Sequence, residues 1–239
     1  MTCPGRGTGA ADSTTTSAMP PIRDSARRTG HNGLRAIAAA AAAAVALVGC
    51  SGGVSSKGGL PNPMGLQGTL QVPATPKPGF TLTDTEDQPY NLRAETAGDV
   101  TLLYFGYTHC PDVCPTVMAN LAIGLSKVSP AVRSHIKVVF VTTDPARDSP
   151  PVIGRWLAAF NPTFVGLTGT SQQIIAAETS VGMAPATVVP LGGGNYSVEH
   201  AAYILAFTTD DLAHAVYPDG YTAATWEHDL PRLVDWRAA

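Results

Sequence analysis

Apolar and polar positions change period several times along the chain, and these changes mark its elements. Two near-continuous apolar runs, Val100–Phe105 and Ile136–Val141, predict strands that are covered on both faces of a sheet. A third, shorter strand is predicted at Phe164–Leu167. Three further segments have helical periodicity and predict helices, which run from about Pro115 to Val128, from Pro151 to Phe160 and from Ser171 to Val181. Strands that alternate with helices in this way favour an α/β sheet with crossover helices.

Hairpins flank this alternating core at both ends. Phe80–Thr83 and Tyr90–Leu92, separated by polar turn residues, predict a short hairpin. Further on, His200–Thr208 and Ala213–Tyr217 predict an antiparallel hairpin, and a last helix ends near Trp236. Together with a cysteine pair at the first crossover helix, this order predicts an α/β, thioredoxin-like fold. It would have a central mixed β-sheet flanked by helices and an N-terminal hairpin.

The first 49 residues have the features of an export signal. They contain five arginines against two aspartates, and an uncharged run of thirteen mostly alanine residues, Ala36–Val48, follows the last arginine. A membrane-spanning helix needs about 20 residues, so this run is too short to be one. It ends in Leu47-Val48-Gly49-Cys50, which resembles a bacterial lipobox, although a buried alanine-rich helix is the alternative. We therefore expect lipidation of Cys50 and a lipid-anchored protein on the extracytoplasmic face of the cell membrane.

Composition separates this leader from the rest of the chain. Residues 50–239 contain ten basic and sixteen acidic residues, a net charge of −6, which argues against nucleic-acid binding. Residues 50–78 are rich in Gly, Pro and Ser and lack apolar periodicity, so we predict a flexible tether there. The predicted organisation is a lipoprotein signal peptide at 1–49, the tether at 50–78 and a folded domain at 79–239.

The chemistry of the domain centres on a pair of cysteines. Once Cys3 is removed with the leader and Cys50 is lipidated, Cys110 and Cys114 are the remaining thiols of the sequence. They lie where the first buried strand meets its helix, and the N–H groups and dipole of a helix start lower thiol pKa values. A structural disulfide is the alternative, but it would enclose too few residues to stabilise the fold much. The pair is thus a candidate for redox chemistry or metal binding.

The spacing of the pair bears on which chemistry it performs. Thioredoxin-type exchange uses two intervening residues, whereas three separate Cys110 from Cys114. At helical spacing, residues four apart place both sulfurs on one face. Two thiolates are an incomplete ligand set for zinc or an iron–sulfur cluster, and the predicted domain has no further cysteine. Two soft sulfur ligands completed by one imidazole suit copper best.

Four segments of the domain resemble the Sco/SenC family. They are Gly106–Pro115, which contains the cysteine pair, Val141–Pro150, Phe164–Thr170 and Glu199–Ala201. Members of this family are thioredoxin-like copper proteins that assist assembly of the binuclear copper site of cytochrome c oxidase. The resemblance implies copper ligands at Cys110, Cys114 and His200 and a redox-active disulfide between the two cysteines. It also implies that the copper-site subunit of the oxidase is a partner.

The resemblance also gives a role to Asp144. This residue follows the second buried strand and would be an outer-sphere partner or remote axial ligand of the metal, whereas the alternative is a turn initiator before Pro145. We expect Arg147 and Asp148 to form a local charge pair. Where family members commonly have a hydroxyl residue after the ligand histidine, this chain has alanine after His200. Three other histidines of the domain are expected at the surface: His135, His214 and His228.

Two functions follow from these residues. In the first, Cys110, Cys114 and His200 hold copper and pass it to an exported partner by ligand exchange. In the second, the same cysteines act as a thiol–disulfide oxidoreductase that keeps exported partner cysteines reduced. Other exported copper donors or thiol reductants would then be further partners. His200 separates the two functions because thiol exchange does not need an imidazole ligand.

Overall fold

An eight-stranded mixed sheet organises residues 62–236, the part of the chain that the computed structural model describes. The strands are β1 (Thr69–Pro76), β2 (Thr81–Asp84), β3 (Pro89–Asn91), β4 (Val100–Gly106), β5 (Ile136–Thr142), β6 (Val165–Thr168), β7 (Thr187–Gly192), β8 (Asn195–Glu199), β9 (Tyr203–Phe207) and β10 (Leu212–Pro218). The helices are α1 (Leu92–Glu95), α2 (Val113–Lys127), α3 (Pro130–Arg133), α4 (Pro150–Ala158), α5 (Ser171–Ser180) and α6 (Ala223–Val234). The order of strands in the large sheet is β1-β10-β9-β4-β5-β6-β2-β3.

The middle strands of the sheet are the apolar runs that the sequence predicts. β4 pairs in parallel with β5, and β5 pairs in parallel with β6, while β9 is antiparallel to β4. Every residue of β4 and all but one residue of β5 are buried, as expected for parallel strands with helices on both faces. The predicted α/β fold with a central mixed sheet is confirmed.

Alternate residues of β4 pack into two separate hydrophobic clusters, because successive side chains of a strand point to opposite faces. Leu102 and Tyr104 belong to a cluster that includes residues of α2, α4 and α6. Leu103 and Phe105 belong to a second cluster, which includes residues of α1 and α5. The end of β4, where the cysteine loop begins, is therefore held from both faces of the sheet.

The predicted hairpins and helices are also present, with small shifts at their ends. β2 pairs with β3 and β9 pairs with β10, both antiparallel. α2 begins at Val113, two residues before the predicted start, so Cys114 lies inside the helix. None of the helices between residues 62 and 236 has both the length and the apolar character that a membrane crossing requires.

The folded domain starts earlier than the predicted boundary at residue 79. β1 lies in the segment assigned to the tether, yet it pairs antiparallel with β10, for example Thr69 with Val216. Leu70, Val72 and Ala74 alternate with other residues along β1, but no residue of the strand is fully buried, and it contains two prolines, which argue against a core strand. Backbone hydrogen bonds to β10 hold it at the sheet edge, and such bonds leave little trace in a sequence. The predicted signal peptide, Cys50 and the start of the tether lie outside the described residues.

The hairpin of β7 and β8 is absent from the sequence prediction and forms a two-stranded sheet of its own. Its turn contains Gly192, Gly193 and Gly194, all with positive φ, a conformation that favours glycine. Within residues 187–199, Val198 alone is fully buried, so neither strand shows the alternation of a core strand. The hairpin helps to position His200, because β8 ends at the residue directly before it.

A buried carboxylate fastens the segment before β1 to the last helix. Asp229 on α6 has no exposed surface and accepts hydrogen bonds from the backbone N–H groups of Gln67 (2.8 Å) and Gly68 (3.0 Å). It also accepts from the Tyr217 hydroxyl at 2.8 Å and contacts Nδ1 of His228. His228, which was expected at the surface, is half-buried and pairs with this carboxylate.

Replacing Asp229 should destabilise the domain. In Asp229→Ala, two backbone N–H groups and the Tyr217 hydroxyl lose a buried acceptor, which should lower the free energy of unfolding by about 2–4 kcal/mol. Chemical denaturation followed by circular dichroism measures this change. The control Asp235→Ala removes an exposed carboxylate at the end of the same helix and should cost less than about 0.5 kcal/mol. Equal stability of the two variants would contradict the anchoring role.

Candidate metal centre

Cys110 and Cys114 approach each other through a turn that leads into α2. Cys110 precedes Asp112, the residue at the N-cap position, whereas Cys114 is the second residue of the helix. The backbone N–H of Cys114 donates to Cys110 Sγ at 3.4 Å, and the Cys110 N–H donates to the Tyr107 carbonyl at 3.2 Å. Both cysteines are free thiols. The predicted helical spacing is therefore wrong in detail, because one sulfur belongs to the loop and the other to the first helical turn.

A second buried carboxylate holds the cysteine loop onto β5. Asp148 has no exposed surface and accepts from the Thr108 N–H at 2.9 Å and from the Thr108 hydroxyl at 2.6 Å. It also accepts from the hydroxyl of Thr142, the last residue of β5, at 2.6 Å. The predicted pair between Arg147 and Asp148 is wrong, because these three hydrogen bonds use the Asp148 oxygens and Arg147 pairs with Asp144 instead.

The close approach of Cys114 to β4 requires glycine at position 106. A Cβ on Gly106 would lie 3.0 Å from Cys114 Sγ and 2.8 Å from the ring of Tyr104. Both distances are shorter than the optimal separation of about 3.5–4.0 Å between carbon atoms in contact. The missing side chain lets the sulfur rest on the end of the strand, where Cys114 has no exposed surface.

His200 reaches the cysteines from the segment between β8 and β9. Its Nε2 lies 3.5 Å from Cys114 Sγ, and its Nδ1 lies 3.3 Å from the carbonyl oxygen of Ala201. Two tyrosine rings meet the imidazole edge to face, with ring centroids 6.1 Å away for Tyr104 and 5.7 Å away for Tyr107. The ring is therefore fixed in orientation by packing as well as by its backbone contact.

The three predicted metal ligands converge at this point. Cys110 Sγ, Cys114 Sγ and one ring nitrogen of His200 all lie within 4.8 Å of one another. Cys110 and His200 are half-buried, whereas Cys114 is buried. Two thiols and an imidazole form a soft donor set, and such a set suits copper among the common biological metals.

Burial sets the protonation of the buried ligands. It raises the pKa of the Cys114 thiol to about 12, although a hydrogen bond from Tyr104 acts in the opposite direction. The expected lowering of the thiol pKa by the helix start is therefore wrong for Cys114, because loss of water outweighs the helix dipole. Burial likewise raises the pKa of the Tyr104 phenol, which stays protonated.

His200 is neutral for the same reason. Burial lowers the pKa of its imidazole below the usual value, and hydrogen bonds with backbone groups only partly oppose this shift. In the neutral ring, a proton on Nδ1 can be donated to the Ala201 carbonyl, which accepts only. The lone pair of Nε2 then faces Cys114 Sγ. This tautomer is the one in which Nε2 can bind a metal ion.

Asp144 lies outside this group of donor atoms. Its carboxylate is buried and accepts from the Tyr196 hydroxyl at 2.9 Å and from Nε of Arg147. The Arg147 guanidinium lies 5.9 Å from the centroid of the Tyr107 ring, which in turn packs on His200. Asp144 thus connects to the ligand histidine through two intervening side chains, and its outer-sphere role stays a prediction.

The sequence prediction misses several residues that shape the site. Tyr104 and Gly106 alternate along β4 and so share a face, a spacing that could have placed both beside the cysteine loop. The contact of Asp148 with the cysteine loop could not have been found in this way, because its hydrogen bonds with Thr108 span 40 residues. The other four histidines between residues 62 and 236 lie outside the ligand group, and each contacts an acidic residue. The pairs are His109 with Asp148, His135 with Asp99, His214 with Asp210 and His228 with Asp229.

The two cysteines should differ in reactivity. The thiolate is the species that alkylating agents attack, so a Cys114 pKa of about 12 means slow reaction at pH 8 and a rate that rises about tenfold per pH unit towards pH 12. Mass spectrometry of iodoacetamide-treated Cys110→Ser, which retains Cys114, measures this rate. Cys114→Ser, which retains the half-exposed Cys110, is the comparison and should react faster at pH 8. Equal rates in the folded variants would contradict the burial argument.

Comparisons with known proteins identify the family of the chain. The family model described as SCO1/SenC matches residues 69–235. A protein named as copper-binding from Stutzerimonas stutzeri is 33% identical over 160 residues, which cover 66% of this chain and 76% of that protein. The mitochondrial protein SCO2 of Saccharomyces cerevisiae is 39% identical over 97 residues, which cover 40% of this chain and 31% of the yeast protein. The match therefore spans less than a third of the yeast relative.

A solved structure with 30% sequence identity has a similar fold. ScoI from Bradyrhizobium japonicum, determined with copper bound, has a TM-score of 0.58 and 30% sequence identity. The match covers 67% of this chain and 100% of that chain. The family model spans most of the described residues, and its first matched residue, Thr69, is the first residue of β1. The chain belongs to the SCO1/SenC family.

Proposed function

We propose that this protein binds copper through Cys110, Cys114 and His200 and assists assembly of the binuclear copper site of cytochrome c oxidase. The observation that carries the proposal is the convergence of the three donor atoms within 4.8 Å of one another. The histidine comes from a segment 86 residues away from Cys114, so its position beside the sulfur is a property of the fold. A copper-bound relative of the same fold supports the choice of metal.

Copper is the cargo of this site, and the burial of its ligands suggests how the cargo is passed on. Cys110 is half-buried and lies in the loop, whereas Cys114 is enclosed by β4. An incoming ligand of the partner reaches the Cys110 side of the site first, because that side meets solvent. Stepwise exchange would then release Cys110 before the buried Cys114. The partner we propose is the copper-site subunit of the oxidase, and other exported copper donors would load the site.

A second function uses the same cysteines without metal. The turn that brings the Cys114 N–H to 3.4 Å from Cys110 Sγ also brings the two free thiols close enough for a disulfide to form after a small movement. The pair could then reduce exported partner cysteines by thiol–disulfide exchange, with an exported thiol reductant restoring it. Copper binding and exchange both begin from the reduced pair, so the role of His200 distinguishes them.

Replacing His200 should separate the two functions. His200→Ala removes one of three ligands, so copper affinity should fall by about tenfold or more while the thiols remain able to form a disulfide. Competition with a chromophoric copper chelator measures the affinity, and thiol counting measures the redox couple. The control His109→Ala removes an exposed imidazole next to Cys110 that lies outside the donor group, and it should bind copper as the unaltered protein does.

The same pair of variants decides the function in cells. In membranes from cells grown at low copper, His200→Ala should reduce cytochrome c oxidase activity, whereas His109→Ala should not. Normal oxidase activity in His200→Ala would contradict the copper-delivery proposal. Thiol–disulfide exchange would then be the better account, since exchange needs no imidazole ligand.

We also propose that the protein is anchored by lipid at Cys50, on the extracytoplasmic face of the cell membrane. Support for the anchor comes from the short apolar run and the Leu47-Val48-Gly49-Cys50 ending of the leader. Two acyl chains on one cysteine would give stable membrane attachment, whereas a single chain binds only reversibly.

Cys50→Ser should abolish this attachment. Without the acceptor thiol, the protein should no longer incorporate labelled fatty acid, and it should move from the membrane fraction to the soluble fraction. Metabolic labelling and fractionation measure both effects. The control Ser51→Ala changes the next residue without removing the thiol. Unchanged labelling of Cys50→Ser would contradict lipidation at this cysteine.

A further inference from the structure

Tyr104 places a hydroxyl group directly against one of the two cysteines. It lies in β4, two residues before the glycine on which Cys114 rests, and has no exposed surface. Its hydroxyl donates a hydrogen bond to Cys114 Sγ, at an oxygen–sulfur distance of 3.5 Å. A buried phenol that contacts a candidate metal ligand can act on the chemistry of that ligand without binding the metal itself.

Packing fixes the direction of this hydroxyl. The ring of Tyr104 contacts Phe140, with centroids 6.2 Å apart, on the neighbouring strand β5. It also meets the His200 ring edge to face, with centroids 6.1 Å apart. Close packing on the sheet and on the imidazole keeps the phenol from turning away from Cys114.

The donor and acceptor roles around the sulfur are consistent with one another. The Cys114 thiol can donate its proton to Nε2 of His200, 3.5 Å away, while its sulfur accepts from Tyr104. The Cys114 thiol is the donor in one hydrogen bond and the acceptor in the other, so the two bonds do not compete. In a disulfide, the Cys114 sulfur has no proton to donate and carries less negative charge, so both contacts are weaker.

We propose that Tyr104 is a positioning residue that biases the Cys110–Cys114 pair towards its reduced state. This inference rests on the proposed function, because the reduced pair is the form that can take up copper. The hydrogen bond stabilises the sulfur of the thiol more than the sulfur of the disulfide. Tyr104 thus opposes oxidation of the pair in an environment where disulfides accumulate.

Oxidation of the Cys110–Cys114 pair requires an oxidant that takes up its electrons and protons. A small-molecule disulfide, such as glutathione disulfide, is the oxidant. The S–H bonds of Cys110 and Cys114 break and one S–S bond forms between them, so the pair loses two electrons and two protons. The S–S bond of glutathione disulfide breaks, and its two sulfurs take up these electrons and protons to give two molecules of glutathione. The equilibrium constant of this exchange reports the stability of the reduced pair directly.

The test compares three proteins in glutathione redox buffers at fixed pH, with the oxidised fraction counted by mass spectrometry after thiol trapping. Tyr104→Phe keeps the ring and removes the donor, so the equilibrium constant for oxidation should rise about three- to tenfold. Tenfold corresponds to about 30 mV for a two-electron couple. The control Tyr217→Phe removes another buried hydroxyl, which donates to Asp229, and should leave this constant unchanged. A constant within twofold of the unaltered protein in Tyr104→Phe would overturn the proposal.

A second substitution keeps the test decisive if Tyr104→Phe does not fold. Incorporation of 3-fluorotyrosine at position 104 strengthens the donor, so the equilibrium constant should shift in the opposite direction and the pair should become harder to oxidise. An unchanged or opposite shift would overturn the proposal as well. Copper binding of the unaltered protein is measured separately. Its failure would contradict the proposed function, whereas normal copper binding with an insensitive redox couple would contradict only the role of Tyr104.

Discussion

The site depends on the burial of one sulfur atom against the end of a central strand. Cys114 Sγ rests on Gly106 of β4, where no side chain intervenes, and the hydroxyl of Tyr104 on the same strand contacts it. Because β4 is packed on both faces, its end cannot move to accommodate another arrangement. His200 then needs only to reach a sulfur whose position the sheet has already fixed. Cys110 and His200 both approach this fixed sulfur, Cys110 through the Cys114 N–H and His200 through its Nε2.

Buried carboxylates hold the segments around that contact. Asp148 binds the cysteine loop to the end of β5, and Asp229 binds the segment directly before β1 to α6. Asp144 holds Arg147, which lies over the ring of Tyr196 in the β7–β8 hairpin. Burying an ionised group is costly unless hydrogen bonds or an opposite charge compensate it. Each of these three carboxylates has such partners, so each fixes a particular contact between segments distant in sequence.

The three ligands of the site are not equivalent. Cys110 belongs to a loop and meets solvent, whereas Cys114 and His200 are held by the sheet and by aromatic rings. Burial keeps the Cys114 thiol protonated and the imidazole neutral, so uptake of a metal ion must displace the proton of that thiol. Packing therefore holds two of the donor residues in place, while the third lies on a loop. The proposed transfer of copper would use both properties, with retention by the first two residues and release through the loop cysteine.

The sequence by itself determined the central strands, the main helices, the family and the cysteine pair, because continuous apolar runs and a short motif are local signals. It did not determine β1 or the β7–β8 hairpin, whose strands have one fully buried residue between them and are held by backbone pairing. It placed the thiols at a helix start and so predicted a lowered pKa, whereas the fold buries Cys114 and raises it. Only the tertiary structure showed that the Tyr104 hydroxyl reaches the sulfur and that Asp148 holds the cysteine loop. The contact of Asp148 with Thr108 depends on β4 and β5 becoming neighbours, and neighbours across 40 residues leave no periodic pattern in the chain.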